Sequence, residues 1–148
     1  MARRVFFSFH YQRDIFRANV VRNSWVTRDR ETAGFFDASL WEDAQTRGEA
    51  AIRALIDEGL KNTSVTAVLI GLQTASRPYV DYEIDRSIAK GNGLLGIRIE
   101  KIRDINGDVD DAGPNPLPAG YPVYLWNKDE GYENFGTWVE EAARAVGR

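Results

Sequence analysis

Glu83 is the residue of this chain best placed to do chemistry. It lies in the stretch S76-R77-P78-Y79-V80-D81-Y82-E83-I84, one helical turn after Tyr79, so ring and carboxylate can share a helix face. The run before it, Val65–Ile70, is apolar and rich in β-branched residues, bounded by Ser64 and Gly71. That pattern predicts a strand buried on both faces, as in a parallel sheet. A polar loop, Leu72 to Ala75, leads to a helix with Ser76 as N-cap, Pro78 in the first turn and Gly91-Asn92-Gly93 as its close. Val80, Ile84, Ser87 and Ile88 form the core-facing stripe of that helix, with Glu83 on its shoulder. In an open α/β sheet this region sits at the carboxyl ends of the strands, where ligands bind. A carboxylate there is either a solvated helix residue or the working group of a site.

Most other chemistries lack their parts. Cysteine is absent, which excludes disulfides, thiolate nucleophiles and Cys-ligated zinc. His10 is the one histidine, so a His-based metal cluster or a Ser-His-Asp triad has little to build on. There is no G-x-x-x-x-G-K-[ST] phosphate loop and no G-x-G-x-x-G after a strand. A phosphoreceiver would need acidic residues after the first strand and an Asp closing the third; Ser8-Phe9-His10 and Gly71-Leu72 stand there instead. N106-G-D-V-D-D111 is acidic but lacks the spacing and terminal Glu of a calcium loop. What remains is chemistry that one carboxylate can do in a shaped pocket.

The elements that must position Glu83 follow from pattern. Arg4 to Phe9 predicts a first strand ending at His10-Tyr11, and Gln12 to Trp25 a helix with Ile15, Phe16 and Val20 inward. Val26 to Ala33 reads as a connection. Gly34 to Asp37 reads as a short second strand delivering Asp37 at its end, followed by a loop from Ala38 to Asp43. Thr46 and Glu49 have capping-box spacing, opening a helix that turns Ile52, Leu55, Ile56 and Leu60 inward. After the Glu83 helix, Leu94 to Ile99 is a fourth strand and Pro122 to Trp126 a fifth. A closing helix carries Phe135, Trp138, Val139, Ala142 and Val146 inward. Lys101 to Gly120, with Asn115 in P-N-P, is a long surface loop of the functional or mobile kind, and it serves as the crossover between the last two strands. The alternation predicts a three-layer α/β sandwich, flavodoxin-like, around a mainly parallel five-stranded sheet, as one domain over 1–148.

The totals agree with such a domain. A length of 148 residues accommodates one core, and 43% apolar with 28% charged residues describes a globular chain. A net charge of −3 gives no basic field for nucleic acid. No run approaches the roughly 18 apolar residues of a membrane span, and Val5-Phe6-Phe7 is too short for a signal-peptide core. The expectation is a cytoplasmic protein with neither nucleic-acid nor membrane partner.

Two segments point to a family. V5-F6-F7-S8-F9 resembles the first strand of Toll/interleukin-1 receptor (TIR) domains, and S76 to I84 resembles the segment in which TIR NAD glycohydrolases carry an aromatic residue and, four positions later, the catalytic Glu. Tyr79 stands where that pair has its usual Trp. Over most of the chain, R-R-V-F-F-S-F-H-Y-Q, F-D-A-S-L-W-E-D-A, N-T-S-V-T-A-V-L-I-G and G-P-N-P are similar to the TIR-like ThsB proteins of bacterial Thoeris antiphage defence.

The resemblance implies cleavage of the nicotinamide–ribose bond of NAD, which is substrate and not cofactor. It implies an ADP-ribose-derived signal, often cyclic, that activates a separate effector, and a trigger from the phage or from self-association. Glu83 takes the catalytic position and Tyr79 is its aromatic partner. Phe6, Ser8 and His10, with Asp37 and Trp41, fall where the fold places substrate-facing residues, and Asn115 is a further substrate-binding candidate. Each has an ordinary alternative: Tyr79 and Trp41 as packing, Ser8 and His10 as backbone-bonded groups, Asp37 and Asn115 as turn residues. Phe6 and Phe7 alternate along a strand, so at most one faces a pocket. Two non-catalytic readings stand beside the enzyme: a TIR-type interaction module, and a nucleotide sensor without turnover.

Overall fold

A computed structural model describes residues 3–11, 13–26, 31–33 and 38–148; of residues 26, 31–33 and 38–41 it describes the backbone alone. Five strands, β1 (Arg4–Ser8), β2 (Glu31–Ala33), β3 (Val65–Ile70), β4 (Gly93–Arg98) and β5 (Val123–Leu125), form one sheet in the order β2-β1-β3-β4-β5. Every neighbouring pair is parallel; Phe7 lies opposite Ala67 and Ser8 opposite Val68. This is the flavodoxin-like architecture that the alternating pattern predicts. The strand order reverses between β1 and β3, and that switch point is where such sheets bind ligands.

Side chains alternate across the sheet. Ala67, Leu69, Leu95 and Ile97 join a cluster with Phe135, Trp138 and Val139 of α5 (Gly131–Ala145), while Val68 and Ile70 pack with Val80 and Ile84 of α4 (Val80–Lys90). The helix α5 is held by an apolar stripe at positions 135, 138, 139 and 142, and Trp138 stacks on Tyr124 at 4.2 Å. A Cβ at Gly131 would sit 2.1 Å from the Trp126 ring, so only glycine lets the chain turn there. The helix α4 closes as expected: Gly91 adopts φ +84°, and the Gly91 and Asn92 amides donate to Ile88 and Ser87 carbonyls.

Several boundaries differ from the sequence reading. The first helix, α1, spans Ile15–Val26, and Ile15, Phe16 and Val20 face outward at 37%, 44% and 37% exposure. Its inner face is instead Ala18, Val21 and Trp25, joined by the buried polar pair Asp14 and Arg17. The predicted loop from Ala38 to Asp43 is the start of α2 (Ala38–Arg47). Thr46 and Glu49 form no capping box, because the Thr46 hydroxyl donates to the Asp43 carbonyl inside α2 and Glu49 pairs with Arg53. The next helix, α3 (Glu49–Leu60), opens at Gly48 with φ +104°. Ser76 ends a 3-10 turn (Thr74–Ser76) and donates to Gln73, while α4 begins after Tyr79. Ile88 and Val146 are exposed. The second strand lies at 31–33; residues 34–37, Asp37 included, are outside the described residues.

Candidate active site

Ser8 ends β1 with its side chain on the sheet face that α4 covers, and Glu83 meets it from the first turn of α4. An acidic residue suits that first turn, where backbone amides point outward from the helix end. The carboxylate is sealed, with 0% exposure. Oε1 accepts from the Ser8 hydroxyl at 2.7 Å and from Arg77 Nη2, and Oε2 accepts from the Tyr11 hydroxyl at 2.6 Å. The Arg77 guanidinium also lies 3.4 Å from Ser8 Oγ and 4.6 Å above the Tyr11 ring, a cation–π contact. Four side chains from two stretches of the chain, 8–11 and 77–83, thus meet around one buried ion pair.

Local sequence explains the delivery. Arg77 precedes Pro78, which holds it extended (φ −69°, ψ 132°) between the 3-10 turn and α4. Thr74 shapes the turn before it: its hydroxyl accepts the Gly71 amide at 2.8 Å and donates to the Leu69 carbonyl. The rotation of α4 is fixed from α3, where both Asp57 oxygens accept from Tyr82 at 3.0 Å and Oδ1 accepts from Arg86 at 3.2 Å. Tyr82 therefore points to α3 and its neighbour Glu83 to the sheet.

The electrostatics follow from burial. Desolvation pushes the Tyr11 hydroxyl up to about 12, against the pull of Arg77, so it is a neutral donor. Burial also lowers Arg77, yet a guanidinium stays charged at neutral pH. His10 is half-buried and its Nδ1 accepts the Arg13 amide, which puts the neutral ring's proton on Nε2. Burial, then the Arg77 charge, hold its pKa below 6.5 and keep it neutral.

Beside this set, Asp14 is wholly buried against Gly71; a Cβ there would meet its Oδ2 at 2.3 Å. Among the described residues no donor lies within hydrogen-bond distance of either Asp14 oxygen, and the nearest cation is Arg17 at 3.6 Å. Burial raises its pKa to about 6 in spite of Arg17 and Arg13. Arg17 pins the long loop, donating to the Ile102 carbonyl (2.6 Å), the Asp108 carbonyl (3.0 Å) and the Asp110 carboxylate (2.9 Å). The loop then packs Gly113 against the Gly71 and Leu72 carbonyls and accepts Arg98 at 2.8 Å. The β4–β5 crossover is therefore a tethered wall at the carboxyl edge of the sheet.

Of the sequence candidates, Glu83 and Ser8 are brought into direct contact. Tyr79 is half-buried against the core one turn before Glu83, accepting the Glu83 amide on its carbonyl. Phe6 is entirely within the core, and His10 sits near Arg77. Asn115 is exposed and its side chain accepts the Leu117 amide of its own turn. Asp37 and the Trp41 side chain lie outside the described residues. Tyr11 and Arg77 were not singled out, although both stand inside the segments that carry the family resemblance. Among the described residues no three His, Cys, Asp or Glu side chains are grouped to hold a metal. No helix among them is long and apolar enough to cross a membrane.

Fold and site together define a parallel, doubly wound α/β protein whose helix after the third strand sets a carboxylate against the end of the first. The sequence model of the family described as "Thoeris protein ThsB, TIR-like domain" matches residues 6–104, a span holding Ser8, Tyr11, Arg77 and Glu83. A Bacillus cereus (strain MSX-D12) relative, named "Putative cyclic ADP-D-ribose synthase ThsB1", is 41% identical over 191 residues, covering 94% of this chain and 100% of that protein. The chain belongs to the TIR-like ThsB family.

Proposed function

We propose that the protein is an NAD-consuming enzyme of Thoeris defence that cleaves the nicotinamide–ribose bond and produces a cyclic ADP-ribose-type signal for a separate effector. The observation that carries this reading is the Glu83 carboxylate, held between Ser8, Tyr11 and Arg77 at the switch point of a ThsB-family sheet. The name of the Bacillus cereus relative supports the cyclic product.

The chemistry is suited to these groups. Departure of nicotinamide develops positive charge on the ribose, as in other glycosyl transfers through oxocarbenium-like states. A fixed carboxylate stabilises that charge, and the Ser8 and Tyr11 hydroxyls keep it oriented. Nicotinamide leaves as a neutral ring, so no strong general acid is required, in keeping with a neutral His10. Attack on the ribose by another part of the same molecule gives the cyclic product, and attack by water the linear one.

The test is chromatography of products after purified protein meets NAD, with and without extract of phage-infected cells. Nicotinamide with a cyclic product is expected; nicotinamide with linear ADP-ribose would make the protein a hydrolase, and neither under any condition would end the enzymatic reading. A second reading, a TIR-type interaction module, is favoured by the exposed Ile15-Phe16-Val20 face of α1. It predicts that Glu83→Gln leaves signalling intact and that polar substitutions on that face abolish it.

A further inference from the structure

The Glu83–Arg77 pair poses a problem for the reaction just described. Both carboxylate oxygens are taken up by Ser8, Tyr11 and Arg77, and the two charged side chains are 0% and 5% exposed. In this state the carboxylate offers no surface to a ribose, and the guanidinium cancels the charge that an oxocarbenium-like centre needs. The pair must separate before Glu83 can act. A buried guanidinium that loses its carboxylate needs another anion.

The segment carrying Arg77 is built to make that exchange. Ser76 and Pro78 on either side are exposed, the backbone between them is extended, and Arg77 lies before the first turn of α4. Its side chain can therefore turn outward while α4, tied to α3 through Asp57, Tyr82 and Arg86, keeps Glu83 in place. A dinucleotide substrate brings its own anion, a diphosphate, which matches the fork of a guanidinium.

We infer that Arg77 is an exchange residue: at rest it neutralises and seals Glu83, and on binding it passes to the substrate's diphosphate. The exchange leaves Glu83 charged and still held by Ser8 and Tyr11. The inference rests on the reading of the protein as an NAD-cleaving enzyme and gives that site a selectivity. Ligands carrying a diphosphate open it; nucleosides without one do not.

Calorimetric binding of ADP-ribose and of nicotinamide riboside tests this on wild type, Glu83→Gln and the double variant Arg77→Met/Glu83→Gln. Glu83→Gln leaves the Arg77 guanidinium without its carboxylate, whereas the double variant removes both charges of the pair; the folding of each is checked by its thermal transition. Glu83→Gln releases the guanidinium and should bind ADP-ribose about tenfold more tightly than wild type, the scale of a charge-assisted contact. The double variant should lose that gain and about tenfold more, while nicotinamide riboside changes by no more than about threefold between the two variants. Equal ADP-ribose affinity in the two variants, equal weakening of both ligands, or no binding of ADP-ribose by Glu83→Gln would overturn the exchange. Nicotinamide release by wild type is measured alongside. Turnover without the affinity pattern refutes the exchange alone; the pattern without turnover upholds Arg77 as a diphosphate receptor and removes the catalytic reading.

Discussion

Asp14→Asn should stabilise the protein, and by more as the pH rises from 4 to 8. Asp14 is buried with no donor among the described residues within hydrogen-bond distance of either oxygen, and its pKa rises from 3.8 to about 6 because desolvation outweighs the attraction of Arg17. A carboxyl that binds its proton more tightly in the folded state destabilises that state at high pH. The penalty is fully present above pH 6, is relieved as pH falls through 6, and is gone below 3.8. The separation of the two values corresponds to roughly 3 kcal/mol at pH 8 and about 0.5 kcal/mol at pH 4, as an upper bound. For a chain of this size that is a rise in Tm of about 6–12 °C at pH 8. Thermal unfolding of wild type and Asp14→Asn from pH 4 to 8 measures it, with the difference between the two proteins growing with pH. A variant less stable than wild type by the same amount at every pH would refute the reasoning and make the Asp14–Arg17 contact net stabilising.

Other perturbations have defined outcomes. Tyr11→Phe leaves Glu83 Oε2 without its donor and should lower NAD turnover by about tenfold or more, with unfolding still cooperative; an unchanged rate would place Tyr11 outside the site. Arg17→Met removes the partner of two loop carbonyls and of Asp110, and takes from buried Asp14 its nearest cation. Hydrogen exchange over 102–110 should accelerate and stability should fall by about 3–5 kcal/mol, whereas protection equal to wild type would mean that the loop is held elsewhere. Gly131→Ala drives a methyl into the Trp126 ring and should cost about 1–3 kcal/mol in denaturant unfolding; a neutral result would mean that α5 shifts freely.

The fold was readable where one principle dominates. The β-branched run of β3 and the apolar stripe of α5 are governed by burial, and burial leaves a period in sequence. The helix α1 misled because its inner face is partly polar: Asp14 and Arg17 are buried for the long loop's sake, while the larger Ile15, Phe16 and Val20 point outward. The capping box failed for a local reason, since Thr46 had a nearer partner in the Asp43 carbonyl and Gly48 supplied the turn. Glu83 was legible through its spacing from Tyr79 and its motif. Tyr11 and Arg77 were not, because a buried guanidinium and a buried phenol make sense only once Glu83 stands between them. Their partners lie 72 and 6 residues away, and no periodicity encodes such pairings.

The central claim is that Glu83 breaks the nicotinamide–ribose bond, and the most direct test is the rate of nicotinamide release from NAD by wild type and by folded Glu83→Gln under the same activating condition. Release by wild type and its loss, by about a thousandfold or more, in the variant is the expected result. Equal rates in the two proteins would remove Glu83 from the chemistry and contradict the assignment.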